Sequence, residues 1–176
     1  RAKSATVYFL PGNHDWDRMG KQGLAKMKAQ SDFIAAQKDS GLQMIPANGC
    51  PDPIEISLGD GAVVIAYDSE WWLFPYNKEN LDAGCDCDTE TEVLEKIESL
   101  VWKNKDKLIL LASHHPLRSY GLHGGKFNWK DHLFPLTAFS KNAYLPLPGV
   151  GSLYPLLRES VFMNAEDIAH PHYQRL

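Results

Sequence analysis

Thr6-Val7-Tyr8-Phe9-Leu10-Pro11-Gly12-Asn13-His14-Asp15 is a β-branched and aromatic run that stops at Pro-Gly and delivers a polar cluster. Such a run predicts a buried strand ending in a tight turn. The same grammar recurs downstream, where the hydrophobic stretch Lys107 to Ala112 ends at Ser113-His114-His115-Pro116. Between the two, Lys21 to Ser40 has helical spacing, with Leu24, Met27, Ile34 and Ala35 on an inner face and Gly41 placed as the C-terminal cap. Ile54 to Leu58 alternates like a half-buried strand, Gly59-Asp60-Gly61 makes a hairpin turn, and Ala62 to Tyr67 reads as a buried strand. Thr89 to Asn104 is the clearest helix: Thr89 can cap it, and Val93, Leu94, Ile97, Leu100 and Val101 form one stripe. Strands alternating with helices predict an α/β fold. Polar clusters at strand ends lie where such folds usually carry their sites.

The rest of the chain is less regular. Trp71 to Pro75 is an aromatic stretch, followed by an acidic loop. Leu117 to Pro155 is rich in Gly, Pro and aromatics, and short helices are expected over Leu153 to Phe162 and Asp167 to Leu176. A length of 176 residues is enough for one domain with its own core, so residues 1–176 read as a single domain. The opening Arg1-Ala2-Lys3-Ser4 and the unfinished last helix lead us to expect a domain incomplete at both ends. With 44% hydrophobic and 23% charged residues, the composition is that of an ordinary globular protein. The net charge of −4 gives no nucleic-acid-binding patch, and no apolar run is long enough for a membrane segment. A phosphorylated substrate is still compatible with that charge, because a metal ion can supply the positive potential. The three cysteines, Cys50, Cys85 and Cys87, allow Cys50 to pair with either of the others.

The two polar clusters carry the chemistry. Asn13 presents a neutral carbonyl oxygen suited to a divalent metal. His14 can give a proton or bind an anion near neutral pH. Asp15 can orient a neighbouring imidazole. His114 and His115 are adjacent, so in an extended segment they point to opposite sides and one of them faces a given metal. Mixed nitrogen and oxygen ligands at one sheet edge suit Zn, Fe or Mn better than Ca, and a two-metal site of this kind activates water and neutralises a phosphoryl oxygen.

Pro11-Gly12-Asn13-His14-Asp15-Trp16-Asp17 resembles the GNH(D/E) motif of the calcineurin-like metallophosphoesterases. The stretch from Ala112 to Gly125 is similar to that family's later histidine motif, in its purple-acid-phosphatase form. The resemblance implies an αββα sandwich, of which this chain is a fragment. It implies metal-dependent hydrolysis of a phosphomonoester or phosphodiester by a metal-activated water, with no covalent enzyme intermediate. Asn13 and His114 would be ligands of the second metal, His14 the general acid or the group that stabilises the phosphoryl oxygens, Asp15 the residue that orients it, and His123 an outer histidine facing substrate. The cofactors would be two divalent or mixed-valence transition metal ions, Mn, Fe or Zn, in the full-length protein. The segments Tyr67 to Trp72 and Asp167 to Leu176 look like bacterial members that are often exported, to the periplasm or cell surface.

The chain departs from the family pattern as well. The Asp-x-His and Gly-Asp-x-x-Asp motifs are missing before Asn13, and the closing Gly-His-x-His is missing too; His170-Pro171-His172 lacks the glycine. The expectation is that the chain alone binds metal poorly and is inactive. The alternative is a degenerate, non-catalytic binding or scaffold domain of the same fold; a hydrolase of another ester class is a further rival. His115 is expected to be a packed or surface residue, Trp71-Trp72 to be packing, and the acidic residues Asp82, Asp86, Asp88, Glu90 and Glu92 to favour the start of a helix over binding calcium. His132, His170 and His172 are taken as structural.

Overall fold

The computed structural model describes residues 5–37, 41–78, 84–120, 126–158 and 172–176. The chain divides into two compact units, Arg1–His115 and Pro116–Leu176. The first contains strands β1 (Val7–Phe9), β2 (Leu42–Met44), β3 (Ile54–Ser57), β4 (Ala62–Ala66) and β5 (Leu108–Ala112), with helices α1 (Gly23–Ala35), α2 (Ser69–Leu73) and α3 (Glu90–Lys103). The second contains α4 (Trp129–Leu133), α5 (Leu153–Arg158) and short 3-10 turns. The α/β class is as expected.

β1 pairs in parallel with β2, Val7 opposite Leu42 and Phe9 opposite Met44. β3, β4 and β5 form a second sheet in that order, with β3 antiparallel and β5 parallel to β4. The hairpin between β3 and β4 closes as its glycines require: Leu58 N donates to Ala62 O at 3.0 Å, and Gly59 takes φ +90°, a conformation that costs glycine little. The parallel step from β4 to β5 needs a crossover, which contains α3. A capping box fixes the start of α3: Thr89 Oγ1 accepts from Glu92 N, and the Glu92 carboxylate accepts from Thr89 N. At its other end, Asn104 and Lys103 donate to the Glu55 carboxylate on β3, each at 3.0 Å.

Several expectations are corrected. α1 stops at Ala35, with Ala36 as its cap, so Gly41 does not end it; Gly41 O instead accepts from Val7 N where β2 begins. Its buried residues are Gly23, Met27 and Ser31, while Leu24 and Ile34 are half-buried and Ala35 is exposed. Val101 lies outside the buried stripe of α3. The stretch after β4 is helical, because Asp68 caps α2 by accepting from the amides of Glu70 and Trp71. Neither β1 nor β5 is a buried strand: Tyr8 and Phe9 are each 41% exposed, and β5, at the edge of its sheet, leaves Leu108, Leu110 and Leu111 exposed at 62%, 44% and 44%.

The core of the first unit is aromatic. Trp16, Trp71 and Trp72 are almost completely buried beside Met27, Val63 and Ile65, so the two tryptophans of α2 pack as expected. Lys78 donates to the carbonyls of Trp71 and Trp72 and to Glu90, tying α2 to the first turn of α3. Burial holds the Lys78 ammonium below its ordinary pKa, and the Glu90 carboxylate works against that shift. A disulfide joins Cys50 to Cys85, and Cys87 is left as a buried thiol.

Candidate functional site

Strand register brings the polar clusters together. Ala66 of β4 lies opposite Ala112 of β5, and Tyr67 N donates to Ala112 O at 3.0 Å. Asp68-Ser69-Glu70 and Ser113-His114-His115 therefore leave the same end of the sheet side by side. Two hydrogen bonds fix the second segment on the first. Ser69 Oγ accepts from His115 N at 3.1 Å and lies 3.0 Å from His115 Nδ1. Ser113 Oγ donates to His115 O at 2.6 Å.

The loop after β1 reaches the same place. Gly12 is buried against the His114 ring: a Cβ at this position would lie 2.7 Å from His114 Nδ1, closer than real Cβ atoms come. The loop is tightly wound. Asp15 N and Trp16 N both donate to Gly12 O, Arg18 N donates to Asn13 O, and the Asp15 carboxylate accepts from Gly12 N at 2.9 Å. Asp17, Arg18 and Met19 then follow in the left-handed region, at φ 56°, 50° and 61°. Such conformations cost roughly 1–3 kcal/mol each and persist where their surroundings hold them. Met19 is buried, and Asp17 pairs with Lys26 at the surface.

Trp16 links the loop to the carboxylates. Its Nε1 donates to Asp68 Oδ2 at 2.8 Å, and its ring packs against Phe74 at a 49° tilt with centroids 4.9 Å apart. Burial drives the Asp68 carboxyl up to about 7, although the bonds from Trp16, Trp71 and Glu70 favour its charged form.

Among the described residues, Glu70, His114 and His115 bring one carboxylate oxygen and two imidazole nitrogens within 4.8 Å of one another. Glu70 Oε1 is 3.5 Å from His115 Nδ1 and 3.7 Å from His114 Nε2. The Glu70 and His115 side chains are buried, whereas that of His114 is 43% exposed. The set thus has one side open to solvent, where an ion could enter.

Of the residues singled out from sequence, Asn13 and Asp15 are half-buried in the loop, His14 is exposed on it, and His114 stands against it. His123 lies outside the described residues. His115 is packed, as expected, and also brings a ring nitrogen to Glu70. Glu70 itself was not anticipated; its signal was a charged residue inside the apolar run from Ala62 to Phe74. The acidic residues near α3 serve structure: Glu92 caps the helix, Glu90 pairs with Lys78 and Asp86 with Lys96. Asp82 lies outside the described residues. The Cys85-x-Cys87 pair is divided between the disulfide and the buried thiol.

Comparison with models of protein families, with characterised proteins and with solved structures gives no match.

Proposed function

We propose that the full-length protein is a metal-dependent hydrolase of phosphate esters, with the calcineurin-like αββα sandwich as its fold and this chain supplying part of its second-metal site. The observation that supports this most directly is the contact of Gly12 with His114, which brings the Gly12 to Asp15 loop, after β1 of one sheet, against the histidine segment, after β5 of the other. In this reading Asn13 and His114 offer oxygen and nitrogen to a transition metal, a donor set suited to Mn, Fe or Zn. Two such ions, when bound, supply an activated water and charge neutralisation at phosphorus.

The chain's own residues do the rest. His14 is exposed and can reach a substrate, so it donates a proton to the leaving oxygen or stabilises the phosphoryl oxygens. Asp15 holds the loop closed through Gly12 N and so fixes where His14 starts. His123 would face the substrate from the outer side. The Cys50–Cys85 disulfide supports an exported location, since disulfides persist mainly in oxidising compartments.

The test is hydrolysis of p-nitrophenyl phosphate, bis(p-nitrophenyl) phosphate and p-nitrophenyl acetate by the full-length protein with Mn2+, Zn2+ or Fe2+. Phosphate esters should be preferred, and His14→Ala should lower kcat by about 10²- to 10⁴-fold, the usual contribution of a general acid. Preference for the acetate, or an unchanged rate in the variant, would sink the proposal. A protein that neither binds metal nor hydrolyses any of the three would be the non-catalytic scaffold.

A further inference from the structure

We infer that Glu70, His114 and His115 together form a three-ligand site for one transition metal ion, best matched to Zn2+. The inference deepens the proposal above, because it rests on His114 as a metal ligand and adds two ligands to it.

Geometry is the first argument. Zinc bonds of about 2.0–2.1 Å at tetrahedral angles place neighbouring ligand atoms about 3.3–3.4 Å apart. Glu70 Oε1 is 3.5 Å from His115 Nδ1 and 3.7 Å from His114 Nε2. An ion between these atoms would need Glu70 Oε1 to close on each nitrogen by a few tenths of an ångström, and the two imidazole nitrogens, within 4.8 Å of each other, to close by up to about 1.5 Å. Two imidazoles and one carboxylate, with a fourth position open, is also an established zinc donor set. The open position falls on the side of His114, whose side chain is 43% exposed.

Preorganisation is the second argument. Ser69 Oγ accepts from His115 N and lies 3.0 Å from its Nδ1, so the ring nitrogen is held beside Glu70 before any ion arrives. Gly12 sets the position of His114 from the other side.

The experiment is titration of the 176-residue chain with Zn2+ by calorimetry, and with Co2+ by visible absorption, whose d–d bands report four-coordination. One ion per chain should bind, with bands of tetrahedral intensity. Loss of an outer-shell partner alone lowers metal affinity about 10- to 100-fold, so Glu70→Gln and His115→Gln should each lose about 100-fold or more. Glu70→Gln keeps the shape of the buried side chain, and circular dichroism of each variant checks that the helices persist. Cys87→Ser should bind as the parent does, which excludes the thiol as ligand.

If Glu70→Gln and His115→Gln bind like the parent while Asn13→Ala and His114→Ala do not, the inference is overturned and the phosphoesterase reading stands on Asn13 and His114. If the folded chain binds no ion, the inference is likewise overturned. The phosphoesterase reading is then decided separately, by the ester assay on the full-length protein.

Discussion

Gly12 is the residue on which the site's geometry turns. Any side chain there meets the His114 ring, with a Cβ 2.7 Å from Nδ1 and 3.0 Å from Cε1. His114 is partly exposed and can swing away, so Gly12→Ala should cost about 1 kcal/mol of stability, the low end for overpacking. Metal affinity should suffer more, by about tenfold or more, because the displaced imidazole is no longer oriented. Thermal unfolding and Zn2+ titration of the same variant separate the two effects. At this scale the position of Asn13, His14, Asp15 and His114 just after strands was legible, because strand ends followed by polar clusters are a local pattern. Glu70 and Asp68 were not. Glu70 meets the histidines through the Ala66–Ala112 register and Asp68 meets Trp16, contacts that join residues far apart in the chain. The sequence does not display that pairing.

Among the elements, α3 shows how local chemistry can fix a structure. Thr89→Ala removes the acceptor for Glu92 N and should destabilise the protein by about 0.5–2 kcal/mol, measurable by urea unfolding. The Glu92 carboxyl is held below its ordinary pKa, first by the hydrogen bond from Asp88 N and then by those from Thr89. A depressed folded-state pKa contributes stability above the unfolded value, about 4.3, and that stability is lost as pH falls through the lower folded value. The parent should therefore unfold at higher temperature than Glu92→Gln at pH 7, and the gap should close as the pH falls below about 4. This helix was legible because its cap and its stripe lie within its own residues. α2 was not, since five residues of aromatic-rich sequence carry too little periodicity and the helix depends on Asp68 as its cap. The three-residue β2 escaped for a similar reason: it exists through its pairing with β1. The exposure of β5 reflects its place at a sheet edge, which hydrophobicity alone does not disclose.

At the scale of the molecule, alternation of strands and helices was enough to give the α/β class, whereas the cysteine pairing required three dimensions. The Cys50–Cys85 bond spans a sequence separation of 35 residues. A loop of that size should contribute about 2–4 kcal/mol by restricting the unfolded chain. Urea unfolding with and without a phosphine reductant, repeated on Cys50→Ser, should show that loss in the parent and no further effect of reductant in the variant. Cys87 adds something of a different kind. Burial, reinforced by the nearby Asp52 carboxylate, pushes its thiol up to about 11. At pH 8 only about one such group in a thousand is a thiolate, the form that attacks a disulfide. A nucleophile two positions from Cys85 is thereby kept silent. Exchange from Cys85 to Cys87 should therefore be slow at its first step, because so little of the attacking thiolate is present.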